Sequence, residues 1–325
     1  MSNKMSITFW GVRGSYPTPG PSTMHYGGNT SCIEIIVDGQ TIILDAGSGI
    51  IPLGRELMQR HRGKSIEATI FFSHMHHDHT QGFRFFTPIH IPSTQLHIFG
   101  PQIYEHSPEE VLVHTMYPAT FPLSFENLPA QRTLNSLYDK DVVSLKDGKR
   151  LIHRGGHPSI QLPDSGVVVR TMRSDTHAGG VMFYRIEWQG RTIVYATDTE
   201  RSLANDHRLI TFARGADLLI HDAQYTEEHY SGFKPGYPST KGWGHSTPKM
   251  ACDMARAAGV KQLALFHFEP EYDDKTIAEI ERKARSDFSN TIAPYEGMKI
   301  SFEPLSAQKY MPLARVPPRI LWPTI

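Results

Sequence analysis

The chain has 325 residues, with 33 Lys or Arg against 33 Asp or Glu, so its formal net charge is zero. This balance argues against a general nucleic-acid binder, because such proteins carry an excess of basic residues. The two cysteines, Cys32 and Cys252, are too few for a disulfide framework and predict a cytoplasmic location. No apolar run has the length of a signal-peptide core or a membrane span, so we expect no membrane partner.

The first part of the chain predicts strands and one helix. Apolar residues alternate over 6–10, and the runs 31–37 and 41–44 flank an Asp-Gly turn typical of a hairpin. Helical spacing over 50–62 stops at Gly63. The apolar run 68–72 predicts a buried strand, and Thr80 is a candidate cap for a helix reaching Phe86.

Regular patterning weakens between about 100 and 165. Ser107 followed by Pro108 predicts a helix start, but prolines then interrupt, and 140–156 is charged and glycine-rich. We interpret about 100–165 as an insertion, which is a lid over a site, an oligomer contact or a surface excursion without a role.

Strands and helices resume in the second half. Strands are expected at 166–170, 181–186, 191–195, 217–220, 261–266 and 298–302, and helices at 247–258 and 274–286. Two sheets packed face to face with helices outside bury both strand sets, so we expect an α/β fold with four αββα layers. We place one domain over 1–305 and a proline-rich C-terminal tail over 306–325.

The segment HMHHDH at 74–79 offers four metal ligands directly after the apolar run. In extended backbone, His74 and His76 project to the same side and can share one metal. Asp78 and His79 follow where the chain turns and can reach a second metal. The alternative is a solvated histidine-rich loop. The buried strand predicted directly before the segment favours the metal site, because a solvated loop does not need such a strand.

Three further candidates lie at strand ends, where sites gather on layered folds. These are His177, Asp198 and His267. His153 and His157 compete with His177, whose position just before a predicted strand favours it.

Several stretches together resemble the metallo-β-lactamase superfamily, in the branch of ribonuclease Z and the cyclic phosphodiesterase of phosphonate breakdown. The resemblance covers about 7–302 and includes the superfamily signature His-x-His-x-Asp-His at 74–79. The other stretches are GVRGS at 11–15, YGGNTSC at 26–32, LDAGSG at 44–49, YATDTE at 195–200 and GWGHST at 242–247.

The resemblance implies two divalent metal ions, with Zn²⁺ as first choice and Mn²⁺ or Fe as alternatives. The first ion is assigned to His74, His76 and His177, the second to Asp78, His79 and His267, and Asp198 bridges both. Asp45 is expected either to hydrogen-bond a ligand histidine or only to cap a turn.

The catalytic set implied by the resemblance is Asp78, His245 and Asp222. A metal-bridging hydroxide attacks phosphorus, His245 stabilises the oxygens or protonates the leaving group, and Asp222 orients His245. Arg13, Lys234 and Lys241 are either phosphate contacts or ordinary surface charges.

The expected substrate is a small phosphodiester, such as a cyclic nucleotide or a cyclic sugar phosphate. Neutral charge, and the absence of a Gly-Pro-rich basic arm from the sequence, weigh against tRNA or other long nucleic acid. A lactone or thioester hydrolase and a non-enzymatic di-iron sensor are the alternatives. A homodimer is a possible assembly, since dimers are common among relatives.

Overall fold

A computed structural model describes residues 4–119, 121–156, 165–200 and 203–305 of the chain. Within these ranges the helices are α1 (Ile50–His61), α2 (His77–Thr80), α3 (Pro108–Thr115), α4 (Leu203–Ala213), α5 (Glu227–Tyr230), α6 (Pro248–Ala258) and α7 (Asp274–Asp287). The strands are β1 (Met5–Gly11), β2 (Cys32–Val37), β3 (Gln40–Leu44), β4 (Glu67–Phe71), β5 (Gln95–Pro101), β6 (Gln131–Leu137), β7 (Val142–Lys146), β8 (Lys149–His153), β9 (Val167–Ser174), β10 (Val181–Trp188), β11 (Arg191–Ala196), β12 (Leu218–Asp222), β13 (Leu263–Phe266), β14 (Thr291–Ile292) and β15 (Lys299–Phe302).

The strands form two sheets. One is seven-stranded, in the order β15-β1-β2-β3-β4-β5-β6, and the other is eight-stranded, in the order β14-β13-β12-β11-β10-β9-β7-β8. Strands β3 to β6 run parallel in the first sheet, and β11 to β14 run parallel in the second. Each parallel set therefore brings the carboxyl ends of its strands to one edge.

Alternation along the strands explains how the sheets pack. On β3, Ile42 and Leu44 join the core between the sheets, whereas Ile43 joins a second core beneath α1 and α3. Helices α6 and α7 pack on the far side of the second sheet, and α6 contributes Ala251 and Ala255 to the large core. The expected αββα layering is thus confirmed.

Local sequence signals set the helix ends as predicted. Ser107 caps α3 in a reciprocal box with Glu110. The Thr247 hydroxyl accepts from the Met250 N–H at 3.3 Å, and α6 ends at Gly259, whose φ of 61° suits glycine.

One local prediction was wrong. Thr80 ends the short helix α2 instead of starting a helix, because its hydroxyl donates back to the His76 carbonyl at 3.0 Å. The insertion over about 100–165 stays a proposal; within its described part, β6 extends the first sheet, and β7 and β8 extend the second. Weak alternation hid these strands, because β6 and β8 are largely half-exposed edge strands.

A single domain over 1–305 stays a proposal, supported by the large core that draws side chains from both sheets. The tail 306–325 lies outside the described residues. Both cysteines are buried and free, as expected for a chain without disulfides. Over the described ranges, every helix is too short or too polar to cross a membrane.

Candidate metal centre

Most of the predicted site residues lie at the carboxyl ends of parallel strands. His74 comes shortly after β4, Asp198 after β11 and His267 directly after β13, while Asp222 is the last residue of β12. Loops at the carboxyl ends of parallel strands are the usual position for sites on α/β sheets. The two parallel sets face each other there, so ligands distant in sequence converge.

Three residues at this edge adopt left-handed backbone. The φ angles are 59° at Asp45, 52° at Asp198 and 66° at His267. Asp and His tolerate this region better than branched residues, but it still carries strain. Each lies one or two residues beyond a strand, where the turn directs the side chain into the site.

The first set of converging side chains comprises His74, His76 and His177, which we call the histidine group. His76 Nδ1 lies 3.0 Å from His74 Nε2 and 3.0 Å from His177 Nε2. His74 and His177 are buried, whereas His76 is exposed. His77 is exposed as well.

The second set, the mixed group, comprises Asp78, His79, Asp198 and His267. His267 Nε2 lies 2.9 Å from Asp78 Oδ2 and 3.2 Å from His79 Nε2. Asp198 Oδ2 is 3.3 Å from His79 Nε2, and Asp198 Oδ1 is 3.4 Å from His267 Nε2. Within each group, all candidate ligand atoms lie within 4.8 Å of one another.

Asp198 links the two groups. Its Oδ1 lies 3.6 Å from His74 Nε2 and 3.8 Å from His177 Nε2, in addition to its contacts in the mixed group. A carboxylate in this position can ligate ions in both groups, which matches the bridging role expected of it.

Outer partners orient the imidazoles of the mixed group. His79 Nδ1 lies 2.8 Å from Asp45 Oδ2, and His267 Nδ1 lies 3.1 Å from Gln224 Oε1. Both partner atoms are acceptors, so each Nδ1 carries the proton and each Nε2 turns a lone pair inward. Of the two roles considered for Asp45, the contact with a candidate ligand histidine is therefore observed.

This donor set fits a cation. With one proton on each Nδ1, the inward Nε2 lone pairs of His79 and His267 face the carboxylates of Asp78 and Asp198, an arrangement that suits a cation between them. In the histidine group, the Nε2 atoms of His74 and His177 both face His76 Nδ1 at 3.0 Å. A divalent cation in each group satisfies these lone pairs, and imidazole with carboxylate is a ligand set that suits zinc.

His245 and Asp222 form a buried pair beside both groups. His245 Nδ1 lies 2.8 Å from Asp222 Oδ2, while Asp222 Oδ1 accepts from the N–H groups of Ser246 and Gln224 at 2.9 and 3.1 Å. The His245 ring stacks on His267 with centroids 5.1 Å apart. His245 thus lies against the site as predicted, with Nε2 left to face a ligand.

Two histidines in this small volume have opposite electrostatics. Burial lowers the pKa of His177 to about 4, which keeps its ring neutral and able to ligate. Burial also opposes the charged form of His245, but the Asp222 carboxylate outweighs it and raises the pKa of His245 to about 9. The Asp222 carboxylate thus favours the protonated ring of His245, which is suited to anionic oxygen.

The competitors of His177 lie elsewhere or outside the described residues. His153 Nε2 lies 3.0 Å from the Ser144 hydroxyl on β7, away from both groups. His157 lies outside the described residues. The structure thus favours His177, as the sequence context did.

The three candidate phosphate contacts differ in their surroundings. Arg13 is fully buried, and its guanidinium donates to the carbonyls of Gly27, Glu269 and Tyr272, so neither alternative considered for it, a phosphate contact or a surface charge, is observed. Lys234 Nζ lies over the Tyr237 ring at 3.9 Å. Lys241 is exposed.

Sequence reasoning missed three residues that hold the site. The Ser15 N–H donates to Asp78 Oδ2 at 2.7 Å, and Gln224 orients His267. Glu200 accepts from the Gly242 and Gly244 N–H groups at 2.8 and 2.9 Å, which anchors the loop before His245. Ser15 acts through its backbone, which no side-chain pattern shows. Glu200 stood within a quoted motif, two positions after Asp198.

Comparison with known proteins identifies the family. The model of the beta-lactamase superfamily domain matches residues 40–268. The chain belongs to this superfamily. The expected family and fold are therefore confirmed, and the fold of this superfamily implies divalent metal ions, for which the two groups provide ligands.

Individual members of the superfamily match nearly the whole chain. Ribonuclease Z of Thermoplasma acidophilum is 27% identical over 90% of this chain and 94% of its own length. The metallo-beta-lactamase fold protein YhfI of Bacillus subtilis has a TM-score of 0.62 at 17% identity, covering 93% of this chain and all of that one (100%). A diphosphatase of the PhnP family has a TM-score of 0.61 at 19% identity, covering 92% and 98%.

One expectation about partners conflicts with these similarities. The neutral net charge argues against long nucleic acid, yet a relative named ribonuclease Z aligns along most of both chains. Net charge is therefore too coarse a criterion here, because local contacts and not the total charge position a substrate. The cytoplasmic location and the homodimer stay predictions.

Proposed function

We propose that the protein is a metal-dependent phosphodiester hydrolase, with a small phosphodiester such as a cyclic nucleotide as its first-choice substrate. The observation that carries this proposal is the His245–Asp222 pair, held against two groups of convergent ligands. When bound, two divalent cations lower the pKa of water and neutralise charge on phosphoryl oxygens. The family and the names of its relatives support the hydrolase class.

The proposed ligands divide by group. The histidine group holds one ion, the mixed group holds the second, and Asp198 contributes to both. Asp78 belongs to the catalytic set through its place in the mixed group. Zn²⁺ is the first choice because imidazole nitrogens dominate the donors, with Mn²⁺ or Fe as alternatives.

His245 supplies the proposed acid. Its ring faces the site, where the protonated form stabilises the negative oxygens of the phosphoryl group or donates its Nε2 proton to the departing alkoxide. Asp222 holds the Nδ1 proton and thereby fixes the ring orientation. Because the Asp222 carboxylate also accepts two backbone N–H groups, it is itself immobile.

RNA cleavage is the second candidate function. The observation favouring it is the alignment with ribonuclease Z over most of both chains. The chemistry at phosphorus is the same, so the two candidates differ only in what surrounds the scissile diester.

The test combines metal analysis with turnover. Elemental analysis of the purified protein is expected to find about two divalent ions per chain. Hydrolysis of bis(p-nitrophenyl) phosphate, 2′,3′-cyclic AMP and a tRNA transcript is then compared. Cleavage of the cyclic nucleotide supports the small-substrate proposal, and cleavage of the transcript alone supports the ribonuclease.

A matched pair of histidine variants tests the acid. His245→Ala is expected to retain metal but to lose roughly 10²- to 10⁴-fold in kcat. His207→Ala, an exposed histidine on α4, serves as control. Metal uptake without hydrolysis of any phosphodiester contradicts the proposal. Iron in that inactive protein favours the sensor, whereas turnover of a lactone or thioester favours the other hydrolase.

A further inference from the structure

Large aromatic side chains are exposed beside the metal centre. The exposed fractions are 55% for Trp243, 73% for Tyr104 and 49% for Tyr16. Among the tryptophans that the structure describes, Trp188 is buried and Trp10 is half-buried, so Trp243 alone is exposed. Large apolar groups that remain in water near a site are candidates for ligand contact.

Trp243 precedes Gly244, which packs against His177 of the histidine group. The Gly244 Cα approaches His177 so closely that an added Cβ meets His177 Nδ1 at 2.5 Å. Trp243 also contacts the Tyr225 ring edge-on at 6.4 Å between centroids, and Tyr225 contacts His245 in the same way at 5.9 Å. Gly244 therefore connects Trp243 to the candidate ligand His177. The Tyr225 ring lies between Trp243 and the candidate acid His245.

The other two rings approach from different loops. The Tyr104 ring lies 3.2 Å from where a Cβ on Gly179 would stand, two positions after His177. Tyr16 directly follows Ser15, whose N–H donates to Asp78. The three aromatic residues are thus attached to three separate loops that border the two groups.

The loop carrying Trp243 is held in place. Glu200 accepts from the N–H groups on either side of it, Gly242 and Gly244, and the Trp243 N–H donates to the Thr240 carbonyl at 3.0 Å. An exposed ring on an anchored backbone loses little conformational freedom when a ligand stacks on it. This is the arrangement of a binding platform.

We propose that Trp243, supported by Tyr104 and Tyr16, stacks a nucleobase attached to the scissile phosphodiester. This inference rests on the proposed phosphodiesterase function and narrows its substrate class to nucleotides, as opposed to base-free sugar phosphates. Stacking on an aromatic ring is strong and largely independent of base identity, because every base has a π-face.

Two substrates with the same leaving group isolate the base. Thymidine 5′-(p-nitrophenyl phosphate) and methyl p-nitrophenyl phosphate are both diesters that release p-nitrophenolate, and only the first carries a base. We expect the metal-loaded wild type to favour the nucleoside substrate in kcat/KM. Trp243→Ala is expected to reduce that preference roughly 10- to 100-fold, and Trp243→Tyr to recover most of it.

Phe85→Ala is the matched control, since Phe85 is 53% exposed and packs on Phe121, away from both groups. It is expected to leave the preference at the wild-type value. An undiminished preference in Trp243→Ala overturns base stacking while leaving the phosphodiesterase intact.

A binding measurement separates this failure from failure of the proposed function. Titration with thymidine 5′-monophosphate is compared with titration with inorganic phosphate, by calorimetry in both the wild type and Trp243→Ala. Tighter binding of the nucleotide that is lost in Trp243→Ala supports the platform even if neither diester is hydrolysed. Equal binding of nucleotide and phosphate by the wild type overturns it.

Discussion

Replacing Asp45 with Asn tests how the outer carboxylate sets metal affinity. Asp45 Oδ1 accepts from the Ser73 N–H at 2.7 Å, and Oδ2 meets Ser73 Oγ, His79 Nδ1 and Tyr195 OH at 2.7 to 2.8 Å. In Asp45→Asn the amide oxygen stays with the backbone N–H, so the NH₂ group takes the Oδ2 position. Both hydroxyls can turn to accept, but His79 must move its proton to Nε2.

That change of tautomer points a proton at the mixed group and removes a ligand lone pair. Loss of an outer partner typically weakens metal binding 10- to 100-fold, which is about 1.4 to 2.8 kcal/mol. We expect the mixed group to lose zinc affinity by this amount, while the histidine group retains its ion. Asn also tolerates the left-handed backbone at this position, so added strain is not the cause.

Competition for zinc against a chromophoric chelator measures both affinities. Asp38→Asn is the control, because Asp38 also has left-handed backbone (φ 49°) and accepts one hydrogen bond, from Trp188, far from the site. If Asp45→Asn binds both ions as tightly as wild type, the tautomer argument is wrong. An equal loss of zinc affinity in Asp45→Asn and Asp38→Asn points instead to a general loss of stability.

Three further predictions concern the site. Asp198→Ala removes the side chain shared by both groups, so elemental analysis is expected to find metal loss with turnover reduced by more than roughly 10²-fold; normal metal content contradicts the bridging role. Asp222→Asn places an amide NH₂ against His245 Nδ1 and disfavours the cation, so we expect kcat to fall by about 10²- to 10⁴-fold with metal retained. In Glu200→Gln, one of the anchoring N–H groups faces an NH₂ group, so kcat is expected to fall about 10-fold without metal loss. If the variant keeps the wild-type kcat, Glu200 does not position His245.

Strong local signals predicted most of the fold. The hairpin of β2 and β3, the caps of α3 and α6, and the closing strand β15 all follow from turn residues and short-range periodicity. Strands β6 to β8 and helix α4 did not stand out. Their stability comes from neighbouring strands and from packing, so their own alternation is weak.

Within the site, the sequence by itself determined which residue types were available and where strands ended beside them. The HMHHDH segment identified its own cluster, because its ligands are adjacent in the chain. Only the tertiary structure decided that His177, Asp198 and His267 converge on that cluster, because those distances depend on how two sheets face each other. It alone also assigned Gln224, Ser15 and Glu200, since a contact made by backbone or amide groups leaves no pattern in the sequence.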